Sequence, residues 1–402
     1  MSSSCDVLVV GAGVAGAAAS VAAARGGART ILVEKERYLG GTGFAGRFQH
    51  ICGLYLNAEA IPEETLNPGL AREIAARLRS ASPGKGIKKI GQVYVLPYQY
   101  DDLQSVLTSL CYGESNIATL RGHEAVAVTL DEGEVRSVSI QGIHGKQDIV
   151  PKMVIDCSGS GSVAALAGAT FELTPDGERQ LAGFVVHVKG LKNVDDSLSL
   201  KVPYSLAQAV KLGMFPAVTR FTTFSPGDAL DEGYCKMSIA VTEPAGAEEK
   251  ARVDAEGVVR YLASVLPAFE DAYVAGTSLK VLEREGRRIK GAYTLTKEDV
   301  LAARKFPDGV VRNAWPIELW DSEKGTIYRY VPRGEYYEIP FRCLMVDGIP
   351  NLLTAGRCIS VTHEALGSTR VMGTCMSLGE QAGKAAAYWV RHGKYPDTIK
   401  DY

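Results

Sequence analysis

Close to its start the chain carries a short apolar run. Cys5–Val10 is short and biased to β-branched residues, the pattern of a buried strand. An Ala-rich stretch to about Arg25 has the length of a helix, and Thr30–Val33 repeats the strand pattern, ending in Glu34. The sheet pattern does not resume there. A polar stretch broken by Pro and Gly leads to a helix at Asp101–Cys111. Three strand-like runs follow, Glu124–Leu130, Val135–Gln141 and Gln147–Val150. With turns at Asp131–Glu134 and Gly142–Lys146, they predict an antiparallel meander. A further apolar strand, Met153–Cys157, enters Ser158-Gly159-Ser160-Gly161. Later, Leu181–Lys189 and Tyr234–Val241 alternate as strands and Glu248–Leu266 reads as a helix. Asn351–Gly356 is an apolar strand, and Val371–Val390 a helix in which Gly379 and Gly383 permit close packing.

Composition narrows the classes. At 402 residues two domains are expected, and 46% hydrophobic with 22% charged residues fits a globular protein. Lys plus Arg (44) nearly balance Asp plus Glu (46), so no net field favours nucleic acid. Residues 7–24 carry no charge, yet no cationic segment precedes them and their Gly and Ala are weakly hydrophobic. Neither a signal peptide nor a membrane span is expected. Eight cysteines without a C-x-x-C pair exclude a zinc ribbon or redox dithiol, and the expectation is a cytoplasmic protein with reduced thiols. No metal is expected: His363-Glu364 begins like H-E-x-x-H, but Gly367 stands where the second His must be. Gly379–Lys384 is one residue short of a P-loop and lacks the following Ser or Thr.

The first strand runs into Gly11-Ala12-Gly13-Val14-Ala15-Gly16, a G-x-G-x-x-G between strand and helix, with Glu34 beyond it. Gly11 permits the tight turn, Gly13 admits a pyrophosphate and Gly16 brings helix and strand together. The helix start offers free N–H groups to phosphates. Glu34 can accept hydrogen bonds from an adenosine ribose, which argues for a free ribose rather than a 2′-phosphate. No second such motif follows a strand, so a separate nicotinamide domain is not expected.

These pieces resemble the glutathione-reductase-type FAD-binding group, which inserts a three-stranded meander in its dinucleotide fold and follows it with a strand ending in a small-residue–Gly turn. Met153–Gly159 matches that strand and turn, and Ala125–Ala127 the segment that contacts adenine. Asn351–Arg357 resembles the group's last flavin-binding strand, with Arg357 where Asp is common. That change removes the usual carboxylate for the ribityl chain, and a guanidinium there can face a phosphate or the substrate. Gly40–Gly46, Arg287–Thr296 and Gly356–Ala387 resemble the FAD-dependent oxidoreductase family.

The resemblance implies an α/β, Rossmann-like FAD domain (1–44, 96–170 and 345–402) and an inserted α+β cap (45–95 and 171–344). It implies FAD contacts at Gly11, Gly13, Ala15, Gly16, Glu34, Lys35, Gly41 and Thr42. Further contacts are expected at Ala127, Ser158, Gly159, Gly356, Arg357, Val371 and Gly373. The last helix would aim its N-terminus at the flavin pyrimidine.

HEALGSTR, residues 363–370, falls between the flavin strand and this helix. His363 there suits proton transfer, or caps backbone or bonds a flavin oxygen. Arg370 suits a substrate carboxylate, a flavin carbonyl or an ion pair with Glu364. Arg287, beside Arg288, suits an anion or a solvated surface. Arg47 and His50 follow the Gly40–Gly46 loop and can approach the ring, His50 also as a site of covalent attachment. Cys52 and Cys375 are either near the pocket or simply small buried residues. The expectation is hydride transfer between a small, potentially anionic organic substrate and flavin N5, with the electron partner open. The alternatives are a flavin monooxygenase and a flavin-binding accessory protein without turnover.

Overall fold

Ser3–Val10 is the axis of the main sheet. It pairs in parallel with Thr30–Glu34 on one side and with Gly145–Asp156 on the other. Val7 and Val9 enter one core, Leu8 and Val10 the core on the opposite face. A strand segment covered on both faces must be apolar, which is why Val7–Val10 is a continuous apolar run. The computed structural model describes residues 3–240 and 246–396. Val241, the end of one expected strand, lies outside the described residues.

Two expectations are corrected. The sheet pattern does resume after Glu34: helix Tyr100–Gly113 leads to Ile117–Arg121, which pairs in parallel with Thr30–Glu34. This edge strand has no fully buried residue, so its sequence lacks the apolar signature of the strands beside it. Gln147–Val150 and Met153–Cys157 are also not separate strands. They form one strand, Gly145–Asp156, with Pro151 inside it. Its first part pairs antiparallel with Glu134–Gly142 as far as Ile149, and its last part pairs in parallel with Leu352–Thr354 from Val154. Pro151 falls in the gap between those partners, where its missing N–H breaks neither ladder. Glu134–Gly142 pairs in turn with Glu124–Asp131.

Helix Val14–Arg25 is buried along almost its whole length, and its small side chains let helix Met372–His392 lie directly on it. A Cβ at Gly379 would sit 2.0 Å from the Ala15 carbonyl oxygen, and one at Gly383 2.2 Å from that of Ala19. These glycines set the closeness of the two helices. Because both helix N-termini stand beside the sheet's Gly11 and Gly356 ends, this contact positions the site.

A second sheet, antiparallel in the order Thr223–Pro226, Glu232–Ile239, Ala182–Lys189, Tyr273–Thr277, has its own core with helices Leu198–Lys211 and Ala247–Val265. Helix Leu70–Ala81 and the segments carrying Leu295, Val311, Ile317 and Tyr337 pack into the core of the first strand instead. Packing thus groups much of 45–95 and 295–344 with the dinucleotide side of the molecule. Among the described residues, no helix is long and apolar enough to cross a membrane.

Candidate active site

The glycine turn is built by sterics. Gly11 has φ +99°, and a Cβ there would lie 2.5 Å from the Cys157 carbonyl oxygen. A Cβ at Gly16 would lie 1.7 Å from the Gly11 oxygen, so Gly16 serves helix–strand approach and does not face the cavity. Gly13 does face it, with Gly41 Cα, at 3.9 Å, the nearest atom to a Cβ there. The helix start carries no side-chain cap, which leaves its first N–H groups available to an anion. Glu34 is buried and oriented by two backbone donors, Ala12 N–H at 2.6 Å and Glu36 N–H at 2.9 Å. Burial raises its pKa, and the two donors oppose that.

From this turn one cavity of about 920 Å³ runs between the two sheets. Gly11, Gly13, Ala15, Glu34 and Lys35 line its first end, with Gly41 and Thr42 alongside. Ser158, Gly159, Gly356, Arg357 and Val371 line the wall formed by strand ends and the last helix. The buried Asp156 carboxylate shapes that wall: it accepts from Ser158 N–H and Oγ and from Val163 and Ala164 N–H, tying the turn to helix Ser162–Leu166. Arg357, in place of the common Asp, donates to the carbonyls of Gly159 (2.8 Å) and Glu283. Its guanidinium therefore braces two loops across the cavity, and burial lowers its pKa.

Besides Gly16, two more expected contacts lie off the cavity. Ala127 is displaced by His123, Glu124 and Ala125, which line it instead. Gly373 packs on Gly53, where a Cβ would sit 2.7 Å from backbone carbon, and its N–H donates to Cys52 O.

The candidates for catalysis separate. Arg370 and Arg47 line the cavity; His363 and Arg287 do not. HEALGSTR is mostly a helix, His363–Thr369, whose buried face packs inward and whose C-cap Arg370 alone reaches the cavity. His363 Nδ1 lies 3.0 Å from Glu285 Oε2 and 3.1 Å from Thr174 Oγ1, in a polar cluster completed by Arg288. Burial would raise the Glu285 carboxyl, but the His363 contact and the Gln180 N–H bring it below its ordinary value. Arg287 reaches Ser160 O and lies over Phe171. Glu364 faces Lys297 at 3.8 Å, not Arg370. Arg47, at φ +49°, extends over the Tyr100 ring.

The far end of the cavity is built by strand alternation. In Glu232–Ile239, Cys235 and Met237 enter the second core, so Tyr234 and Lys236 face the cavity. In Ile317–Asp321, Ile317 enters the main core while Glu318 and Trp320 face the cavity. Tyr328 stands opposite Glu318 on the paired strand. Glu318 accepts from Trp320 Nε1 (3.0 Å), Trp315 Nε1 (3.3 Å) and Tyr328 OH (3.3 Å). Burial opposes its charge, but Arg370, Lys236 and Arg284 outweigh that and lower its pKa. Arg284 lies 3.9 Å and Lys236 4.3 Å from the Trp320 ring centre. Burial, then Arg284, pushes Lys236 down to about 8. His50 lines the same region and burial, then the nearby lysines, pushes it to about 4. The Cys52 and Cys375 thiols are pushed up to about 12 by burial, so neither is a thiolate at neutral pH.

Sequence reading missed Lys236, Arg284, Glu318 and Trp320. The signal available was AWPIELWDS, which sets two of the three tryptophans about one carboxylate. A lysine on an alternating strand otherwise reads as solvent-facing.

The glycine approach, the uncapped helix start and the held Glu34 fit an adenine dinucleotide. The comparison with known families decides which. A family model described as FAD dependent oxidoreductase matches residues 6–401. The chain belongs to this family. It is an enzyme, and its cofactor is FAD. Curated relatives of this FAD-dependent oxidoreductase include digeranylgeranylglycerophospholipid reductase 1 from Methanopyrus kandleri, 30% identical over 42% of this chain and 44% of that protein. The match therefore spans less than half of the relative. Among solved structures, a geranylgeranyl bacteriochlorophyll reductase-like protein from Thermoplasma acidophilum has TM-score 0.52 at 13% identity, covering 100% of this chain and 83% of the other. An anhydrotetracycline hydroxylase from Streptomyces rimosus has TM-score 0.53 at 15% identity, covering 99% and 64%. At these identities the two structures share the fold.

Proposed function

We propose that this enzyme transfers hydride between a small organic substrate and flavin N5, in a cytoplasmic setting. FAD supplies the two-electron acceptor or donor when bound. The glycine turn and Glu34 would hold its adenosine and pyrophosphate end, and the Val371 helix start would offer N–H groups to the other end. The strands between Glu124 and Asp156 would serve as the group's meander. The separately packed unit around Ala182–Thr277 would act as the inserted cap.

One observation carries the reading: a single cavity joins the dinucleotide cradle to a chamber walled by Arg47, Arg370, Lys236 and Trp320. Arg47 and Arg370 would orient the substrate. Lys236 Nζ, brought down to about 8 by burial, is a cavity group suited to exchanging the proton that accompanies hydride. His363, off the cavity, would hold Glu285 in place. The 30% identity to reductases favours reduction or dehydrogenation over oxygen insertion.

The test is anaerobic mixing of the FAD-loaded protein with a metabolite panel, and of the prereduced protein with the corresponding oxidised compounds. Flavin bleaching or reoxidation without oxygen supports the reading. Product that carries an atom from labelled O₂ would make the enzyme a monooxygenase instead. Failure of every compound to change the flavin redox state would overturn the hydride-transfer reading.

A further inference from the structure

The chamber's far wall collects more positive charge than its neighbours balance. Lys236 comes from the cap strand, Arg284 from the segment after Tyr273–Thr277, and Arg370 from the end of helix His363–Thr369. All three face the cavity, and Glu318 is the carboxylate they share. That carboxylate already accepts from two indoles and a phenol. Among the described residues none of the three cations makes a direct ion pair. Arg370 gives Nη2 to Glu318 O at 3.0 Å and Gln180 Oε1 at 3.5 Å, and Arg284 gives Nη1 to Leu181 O. Lys236 Nζ makes ring contacts only, with Trp320 and Phe48.

With all three protonated, the surplus is two positive charges beside low-dielectric aromatic walls. Charges taken out of water without partners are costly. The depressed Lys236 and Arg284 values, about 8 and about 9, register that cost. The flavin phosphates would not balance it, because they would lie at the glycine turn. Trp320 and Phe48 add flat apolar surface beside the cations.

We infer that Lys236, Arg284 and Arg370 bind the oxyanion, carboxylate or phosphate, of a planar unsaturated substrate whose body lies along Trp320 and Phe48. This rests on the hydride-transfer reading for what happens to the substrate, but the binding step stands apart from it. The guanidiniums would fix the anion's orientation, while Lys236 would make its affinity depend on pH. Around Lys236 the titratable or charged groups are Arg284, Arg370, Glu318, Cys52 and His50. Of these, Lys236 loses its charge first as pH rises above neutral, so affinity is full below about 8 and falls above it.

The experiment titrates the FAD-loaded protein with benzoate, phenyl phosphate and benzamide, following both flavin absorbance and tryptophan fluorescence. At least one anion should bind saturably, at least ten-fold tighter than benzamide, and the better of the two identifies carboxylate or phosphate. Lys236→Met and Arg370→Met should each weaken that anion ten-fold or more while FAD content stays at the wild-type level. Lys236→Met should also abolish the loss of affinity above pH 8. Equal binding of benzamide, no saturable binding of either anion, wild-type affinity in both variants, or loss of FAD from either variant overturns the inference. If the wild-type protein takes up no FAD, the functional reading falls, and the tryptophan signal still decides the anion site.

Discussion

Gly13 and Gly16 stand three residues apart and do different work. A side chain at Gly13 enters open cavity, whereas one at Gly16 meets the Gly11 backbone. Gly13→Val should therefore keep the melting temperature of the cofactor-free protein and lose FAD binding. Gly16→Val should destabilise the fold by about 3 kcal/mol, because backbone cannot move aside as a side chain can. Thermal melts of the apoproteins with FAD titrations check both; unchanged FAD affinity in a folded Gly13→Val would remove the turn from the cofactor site. His363 and Arg370 separate in the same way. Arg370→Ala should slow flavin reduction by about two orders of magnitude or weaken substrate binding, with FAD retained. His363→Ala should leave the reduction rate within a few-fold of wild type and cost stability, since Glu285 loses its main partner. Rapid-mixing kinetics decide between them, and a large kinetic defect in His363→Ala would return that residue to the reacting centre.

The hairpin of Ile317–Asp321 and Gly325–Arg329 is the element that turns a sequence of ordinary residues into a charged wall. It sets Glu318 opposite Tyr328 and puts Trp320 beside Lys236 and Arg284. Removing the Glu318 charge leaves three cations without their shared counter-charge. Glu318→Ala should cost about 3–5 kcal/mol in urea unfolding, the range for breaking a buried charge set. Added benzoate or phenyl phosphate should restore part of it if the wall binds an anion. The short strand His50–Ile51 carries a second titration. The His50 imidazole is held neutral down to about pH 4, while unfolded it protonates near 6.5. The unfolded chain therefore binds more protons between those values, and stability present above pH 6.5 is lost as pH falls toward 4. The loss is at most about 3 kcal/mol. Melting temperatures of wild type and His50→Gln across this window should converge at acid pH; parallel curves would mean that His50 is protonated in the fold.

At the scale of the whole molecule, a cofactor in the cavity would span the seam between two sheets and should tie them together. The purified protein should be yellow and release FAD, not FMN, on denaturation, because Glu34 and the glycine turn serve the adenine half. Free FAD at a hundred times its dissociation constant should stabilise the fold by about 2.7 kcal/mol. Chromatography of the released flavin and melts at graded FAD check this; FMN in the extract would remove Glu34 from any ribose role.

The sequence alone determined the strand–turn–helix of the dinucleotide cradle. Sterics at Gly11, Gly13 and Gly16 and the placement of Glu34 are local, acting within one βαβ unit, and local constraints leave a readable pattern. The burial of Cys5–Val10 and the close packing of Gly379 and Gly383 were legible for the same reason. The edge strand Ile117–Arg121 was not, since a half-exposed strand carries little apolar signal. Nor was the unity of Gly145–Asp156, whose Pro151 falls where the two partners on one side, Glu134–Gly142 and Leu352–Thr354, leave a gap. The chamber was decided by tertiary structure alone. Lys236, Arg284 and Glu318 lie far apart in the chain from one another and from Arg370, which the sequence did single out, and each of the three looks locally like a surface charge. Only the facing of one sheet against another turns their side of each strand or helix end inward, where burial and mutual charge give them their chemistry.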